Sequence, residues 1–129
     1  MTGQYVNDLG TKEFVGVTIA NNASLSAAVD LGGRTACAIQ VPASTAWTDA
    51  DLTFEGSFDG VTYGPVRVDN YYTEYVVDMP ATASLDSDIV PLNLEVFAGI
   101  RYLKVRSGTN ASPVNQGAAR TIRIAFRPV

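Results

Sequence analysis

Two closely spaced carboxylate pairs, Asp49 with Asp51 and Asp86 with Asp88, are the side chains here best placed for acid–base or cation chemistry. A glycosidase needs one such acid kept protonated in an enclosed cleft while its partner stays ionised. Calcium needs about six to eight oxygens around it. Two carboxylates on a polar loop meet neither requirement, so both pairs read as solvated loop tips. The sequence has no histidine, which removes imidazole bases, Ser–His–Asp triads and His metal ligands together. The single cysteine, Cys37, makes no internal disulfide and no multi-cysteine zinc site. It falls in an apolar row and reads as a small buried hydrophobe. Neither catalysis nor a cofactor is expected.

Side chains suited to binding are more plentiful. Trp47 and the tyrosines Tyr71 and Tyr72 are of the types that dominate interface hot spots, although Trp47 reads as well as a core residue. Tyr71 and Tyr72 are neighbours in an alternating segment, so on a strand they point to opposite faces and at least one lies outside the core. Stacking on a carbohydrate is a second use for such rings. Charge order adds to this. All 13 acids lie within residues 1–95, beside only Lys12, Arg34 and Arg67, while residues 96–129 carry six bases and no acid. If the last two strands adjoin, Arg106, Arg120, Arg123 and Arg127 form a surface for an acidic partner or an acidic patch on a second copy. The other reading pairs these arginines with acidic strands of the same chain. A net charge of −4 supplies no basic surface for phosphates, so no nucleic-acid partner is expected.

The elements that position these residues are strands. Val, Ile, Thr and the aromatics number 45, against 19 for Leu, Glu, Lys, Met and Gln together, which excludes an all-helical fold. Period-two rows recur along the chain: Val15, Val17 and Ile19; Leu25, Ala27, Val29 and Leu31; Cys37, Ile39 and Val41; Leu52, Phe54, Gly56 and Phe58; Ile122, Ile124 and Phe126. Asp59-Gly60 predicts a hairpin, with a return strand from Tyr63 to Val68 that Gly64-Pro65 kinks or places at an edge. Tyr71 to Met79 reads as a further strand, residues 80–91 as a long loop, and Leu92 to Val96 as a short strand or helical turn. Ile100 to Arg106 and Arg120 to Phe126 read as the last two strands. The expectation is an all-β, single-domain sandwich of about eight antiparallel strands, jelly-roll-like, with an immunoglobulin-like order as the alternative. It occupies residues 13–129, after a flexible arm over 1–12 that is polar apart from Tyr5, Val6 and Leu9. No stretch approaches the roughly 18 apolar residues that span a membrane, and MTGQYVNDLGTK lacks the pattern of a signal peptide. Synthesis in a reducing cytoplasm and no membrane partner are therefore expected.

Ser57-Phe58-Asp59-Gly60 with Tyr63, and Arg101-Tyr102-Leu103-Lys104-Val105, resemble segments of discoidin-like jelly-roll modules, a resemblance that implies sugar or lipid binding at loop tips. A broader resemblance covers about residues 17–127. It rests on Ser24 to Leu31, Pro42 to Thr48, Leu52 to Gly60, Arg101 to Thr109 and Pro113 to Gln116, and it is to small virion structural proteins of tailed bacteriophages. Among these, capsid decoration (cement) proteins are most similar in size and charge, with tail or head-fibre components next. That resemblance implies a non-enzymatic protein made in the host bacterial cytoplasm, bound to the outside of the capsid, with the major capsid protein as partner and a homo-oligomer on the virion. It carries over no catalytic residue. The surface expected to make the contacts comprises Tyr5, Val6, Leu9, Trp47, Tyr71, Tyr72, Arg106, Arg120, Arg123 and Arg127.

Overall fold

The structure, a computed structural model, describes residues 13–80 and 85–128. The alternating segments form strands β1 (Phe14–Ile19), β2 (Val29–Asp30), β3 (Arg34–Gln40), β4 (Ala43–Ser44), β5 (Leu52–Ser57), β6 (Gly64–Pro65), β7 (Leu85–Asp86), β8 (Ile89–Pro91), β9 (Tyr102–Ser107) and β10 (Arg120–Pro128). One helical turn, α1 (Leu94–Phe97), lies between β8 and β9; Asn93 caps it by accepting from the Glu95 amide. The segment 80–91, expected as a loop, instead contributes β7 and β8, and its residues 81–84 lie outside the described residues, as does the arm 1–12 with Tyr5, Val6 and Leu9.

The strands form two antiparallel four-stranded sheets, β1-β10-β3-β8 and β2-β9-β5-β6, plus a two-stranded ribbon of β4 and β7. Leaving the ribbon out, the remaining strands counted in chain order read 1-8-3-6 and 2-7-4-5. Every connection but the β5–β6 hairpin crosses from one sheet to the other. That wrapping is the jelly roll and not the immunoglobulin sandwich. It separates β9 from β10 into different sheets, so the last two strands do not combine their arginines on one face.

Apolar rows from both sheets meet in one core. Val17, Ile19, Ile39, Ile122, Ile124 and Phe126 come from the first sheet, and Val29, Leu52, Phe54, Leu103 and Val105 from the second. Phe97 of α1 closes on Phe54 edge-on at 5.1 Å. Cys37 departs from its expected place. The pairing of β3 with β10 skips a residue, from Ala38 opposite Ala125 to Ala36 opposite Phe126. Cys37 is the bulged residue, half-buried, with its Sγ 3.5 Å from the Ala125 carbonyl oxygen, and Ala36 takes the inward position.

The β5–β6 turn forms where Asp59-Gly60 predicts it, with Gly60 at φ +80°, a conformation that glycine adopts without a Cβ penalty. The Asp59 carboxylate builds the tip. Its Oδ1 accepts from the amides of Thr62 at 3.0 Å and Val61 at 2.8 Å, and from the Ser57 hydroxyl at 3.0 Å. These donors hold the Asp59 carboxyl below the usual carboxylate range, the Thr62 amide contributing most. A carboxyl lowered in the folded state binds protons less readily than in the unfolded chain. Its stabilisation is therefore complete above the unfolded value of about 3.9 and is lost as pH falls through the folded value. An NMR titration should find the Asp59 midpoint below that of the unfolded chain; an equal or higher midpoint contradicts this account of the turn.

Candidate protein-binding surface

Beyond β6 the chain leaves the second sheet. The Val66 amide still donates to the Phe54 carbonyl at 3.0 Å, but Leu52 pairs with Val77 instead of with Val68. The released segment closes on itself as a hairpin, with the Val68 amide donating to Thr73 O at 2.8 Å and the Tyr75 amide to Val66 O at 2.9 Å. Asn70 shapes the tip: its Oδ1 accepts from the Tyr72 amide at 2.8 Å and the Thr73 amide at 2.9 Å. Such side-chain-to-backbone turns compete with strand pairing. Tyr71 and Tyr72, expected on opposite faces of a strand, therefore stand together at a turn. They are 77% and 86% exposed, edge-on to each other at 5.4 Å, and the Arg67 guanidinium lies 5.5 Å from the Tyr71 ring.

The base of this hairpin is fixed on the outer face of the second sheet. Arg106, which reads from sequence as an outward arginine, is 4% exposed there, and its expected place in an interface is corrected. It forms a salt bridge with Glu55, and its Nη1 lies 3.1 Å from Glu74 Oε2. Glu74 also accepts from the Asn110 amide at 3.1 Å, and Thr53 Oγ1 lies 3.4 Å from Arg106 Nη1. Tyr75 packs edge-on against Phe97 at 5.0 Å, and its hydroxyl accepts from the Asn93 amide. The tip thus projects from a rigid mount.

Beside the hairpin lies an open groove of about 440 Å³ between the β5–β6 turn and α1. Phe58, Tyr63, Pro65 and Ile100 give it apolar walls, while Asp59 and Arg67 place opposite charges on its rim. Phe58 is 81% exposed. Arg67 borders both groove and Tyr71, so the two features form one aromatic patch with a cation at its centre. Phe58 departs from the row of Leu52, Phe54 and Gly56 in which the sequence places it, because β5 ends at Ser57 and the Asp59-Gly60 turn leaves its ring at a tip. The sequence reading gives a contact role to Tyr71 and Tyr72 but not to Phe58 or Arg67.

Trp47 and Arg120 belong elsewhere, and the expectation of an interface role is corrected for both. Trp47 is 1% exposed, with its indole N–H donating to Ala50 O at 3.1 Å. Arg120 shares the inward parity of Ile122 and Ile124 and is 7% exposed. It donates to Gln116 Oε1 at 3.1 Å, to Ser44 Oγ at 3.0 Å and to the Ala46 carbonyl, and lies 5.8 Å from the Trp47 ring. The fully buried Gln116, to which the sequence reading gives no role of its own, also bonds Thr48 and Ser107 and so locks the loop before β5 onto the loop before β10.

The two remaining arginines lie on the first sheet. Arg123 is exposed, 5.6 Å from the Phe14 ring, and Arg127 pairs with Glu13 at 3.3 Å. With Asp30 gripping Arg101 at 2.9 Å, and with Arg106 held by Glu55 and Glu74, three of the six bases of the C-terminal segment pair with acids of the same chain. The second reading of the charge order holds for Arg101, Arg106 and Arg127. Among the described residues, no group of three or more Asp, Glu or Cys side chains is placed to hold a metal ion. Set against known protein families, curated proteins and solved structures, the chain matches none.

Proposed function

We propose that this chain is a non-enzymatic structural protein of a tailed-bacteriophage virion, bound to the outside of the capsid, where it reinforces contacts between major capsid protein subunits. The observation that carries the reading is the aromatic patch: exposed Tyr71 and Tyr72 on a hairpin whose base is pinned by buried ion pairs, with Arg67 between them and the exposed Phe58 of the β5–β6 turn. Tyrosine rings, with two side-chain torsions, bind with little ordering cost, and Tyr and Arg are both enriched at binding hot spots, which suits a protein acting by contact. A stiff jelly roll without disulfides suits a component made in a reducing cytoplasm and present in many copies, each gaining avidity from the copies beside it. The sequence resemblance to decoration proteins supports the same reading.

Counting copies in purified particles of the phage that encodes the chain tests it. Abundance near that of the major shell protein is expected; a few copies per particle indicates a tail or fibre component, and absence overturns the reading. Replacing Tyr71 and Tyr72 together by alanine should lower capsid occupancy at least about tenfold, as expected for hot-spot residues. The melting temperature should hardly move, because both rings are exposed. Unchanged occupancy would remove the hairpin from the contact. The flanking groove favours one further reading, a glycan stacked on the same rings, and binding of the isolated chain to a glycan array would move the function there.

A further inference from the structure

Each sheet of the jelly roll has two edges, and three of the four are blunted. β6 has two residues, one of them Pro65; β8 has three and ends in Pro91; β2 has two, and its Asp30 carries the ion pair with Arg101. Shortness, proline and charge are the devices by which sheets avoid pairing with other chains. β1 has none of them. Its six residues, Phe-Val-Gly-Val-Thr-Ile, include no charge and no proline, and it pairs with β10 without a bulge. Among the described residues nothing pairs with its outer edge.

The phase of that edge follows from one hydrogen bond. The Phe126 amide donates to Glu13 O at 2.9 Å, one step beyond the Phe14–Ala125 pair. Antiparallel neighbours alternate between pairs that exchange hydrogen bonds and pairs that do not. Val15, Val17 and Ile19 therefore direct their backbone groups toward β10, and Phe14, Gly16 and Thr18 direct theirs outward. All three outward residues are exposed.

We propose that this edge is a self-pairing site, at which β1 of a second copy of the chain adds antiparallel about a two-fold axis through Gly16. In that register Phe14 faces Thr18 of the second copy, Thr18 faces its Phe14, and the two Gly16 residues meet on the axis. Each of these pairs exchanges both its hydrogen bonds, so every outward amide and carbonyl of the edge is satisfied. Val15, half-buried at the end of the inward row, comes to lie beside Val17 of the second copy. The contact brings no like charges together. Arg123, opposite Gly16 on β10, lies three strand spacings from its equivalent, roughly 14 Å, more than a Debye length at physiological salt. The interface is isologous and closes as a dimer with a continuous eight-stranded sheet, without propagating into fibres.

The inference is independent of a virion role, because it is read on the purified chain. Amide hydrogen exchange and sedimentation of the full chain, from about 10 µM to about 1 mM, cover the affinities open to so small a contact. With rising concentration a dimer is expected, and the amides of Phe14, Gly16 and Thr18 should slow at least about tenfold, while those of Val15 and Val17 stay protected throughout. Gly16→Lys sets two ammonium groups against each other across the axis and should abolish dimer and added protection while the monomer keeps its fold. A chain that stays monomeric at the highest concentration overturns the proposal. So does protection of the three amides already complete at the lowest, since the chain then covers its own edge. Should Gly16→Lys fail to fold, the alternating pattern in the unmodified chain still decides.

Discussion

Arg106→Ala is expected to cost about 3–5 kcal/mol of folding stability, the range seen when one partner of a buried ion pair is removed. The guanidinium is 4% exposed and touches Glu55, Glu74 and Thr53 together. Its carboxylate partners are themselves only 20% and 14% exposed, so deletion leaves two negative charges close together with little water to solvate them. Arg106→Lys should recover only part of the loss, since a single ammonium group does not reproduce the planar fork that reaches both acids. The triple replacement Arg106→Met, Glu55→Gln, Glu74→Gln should be closer to wild type than Arg106→Ala alone, because it removes the unpaired charges with their partner. Urea denaturation of the four proteins measures this series. A loss below about 1 kcal/mol for Arg106→Ala would mean that the cluster behaves as an exposed ion pair.

Under the proposed function, the same cluster ties stability to binding. Glu74 lies in the aromatic hairpin, and its contacts to Arg106 and to the Asn110 amide hold the return limb against the sheet. Without Arg106, Tyr71 and Tyr72 would remain in the chain but on a loosened mount. Binding would then carry the cost of ordering the loop. Weakened binding with both tyrosines intact distinguishes this mechanism from loss of the rings.

How far the sequence reveals this arrangement depends on the range of the interactions. Rows such as Val15, Val17 and Ile19, or Ile122, Ile124 and Phe126, are local period-two patterns and appear in the fold as read. The Asp59-Gly60 turn is equally local. Arg120 is legible by parity: its even number puts it on the inward row with Ile122, whereas the charge order of the C-terminal segment groups it with the outward arginines. Arg106 was not legible. It shares parity with the half-buried Tyr102 and Lys104, and it is buried because a hairpin thirty-odd residues earlier in sequence lands on it. Tyr71 to Met79 alternates like a strand, but two backbone bonds to Asn70 make its start a turn. Cys37 lost its inward place to a bulge, a feature set by its pairing with β10 and not by its own neighbours.

Trp47→Ala should be as damaging as loss of Arg106, about 3–5 kcal/mol, the cost of removing a large aromatic from a packed core. A surface anchor would behave in the opposite way, with stability nearly unchanged and binding lost. The ring is 1% exposed, its N–H bonds Ala50 O, and one face supports the Arg120 guanidinium. Deletion therefore opens a cavity and takes the ring from beside a buried cation whose hydrogen-bond acceptors are Gln116, Ser44 and the Ala46 carbonyl. Trp47→Phe keeps most of the volume but loses the bond to Ala50, so its cost should be smaller, about 1–2 kcal/mol. Since Trp47 is the sole tryptophan, its own fluorescence provides a check before any substitution. Emission should be blue-shifted and poorly quenched by iodide in the native chain, and should shift to the red with the cooperative loss of structure. Solvent-like emission from the folded chain, or full stability in Trp47→Ala, would return Trp47 to the surface and remove it from the cluster that joins the loops before β5 and β10.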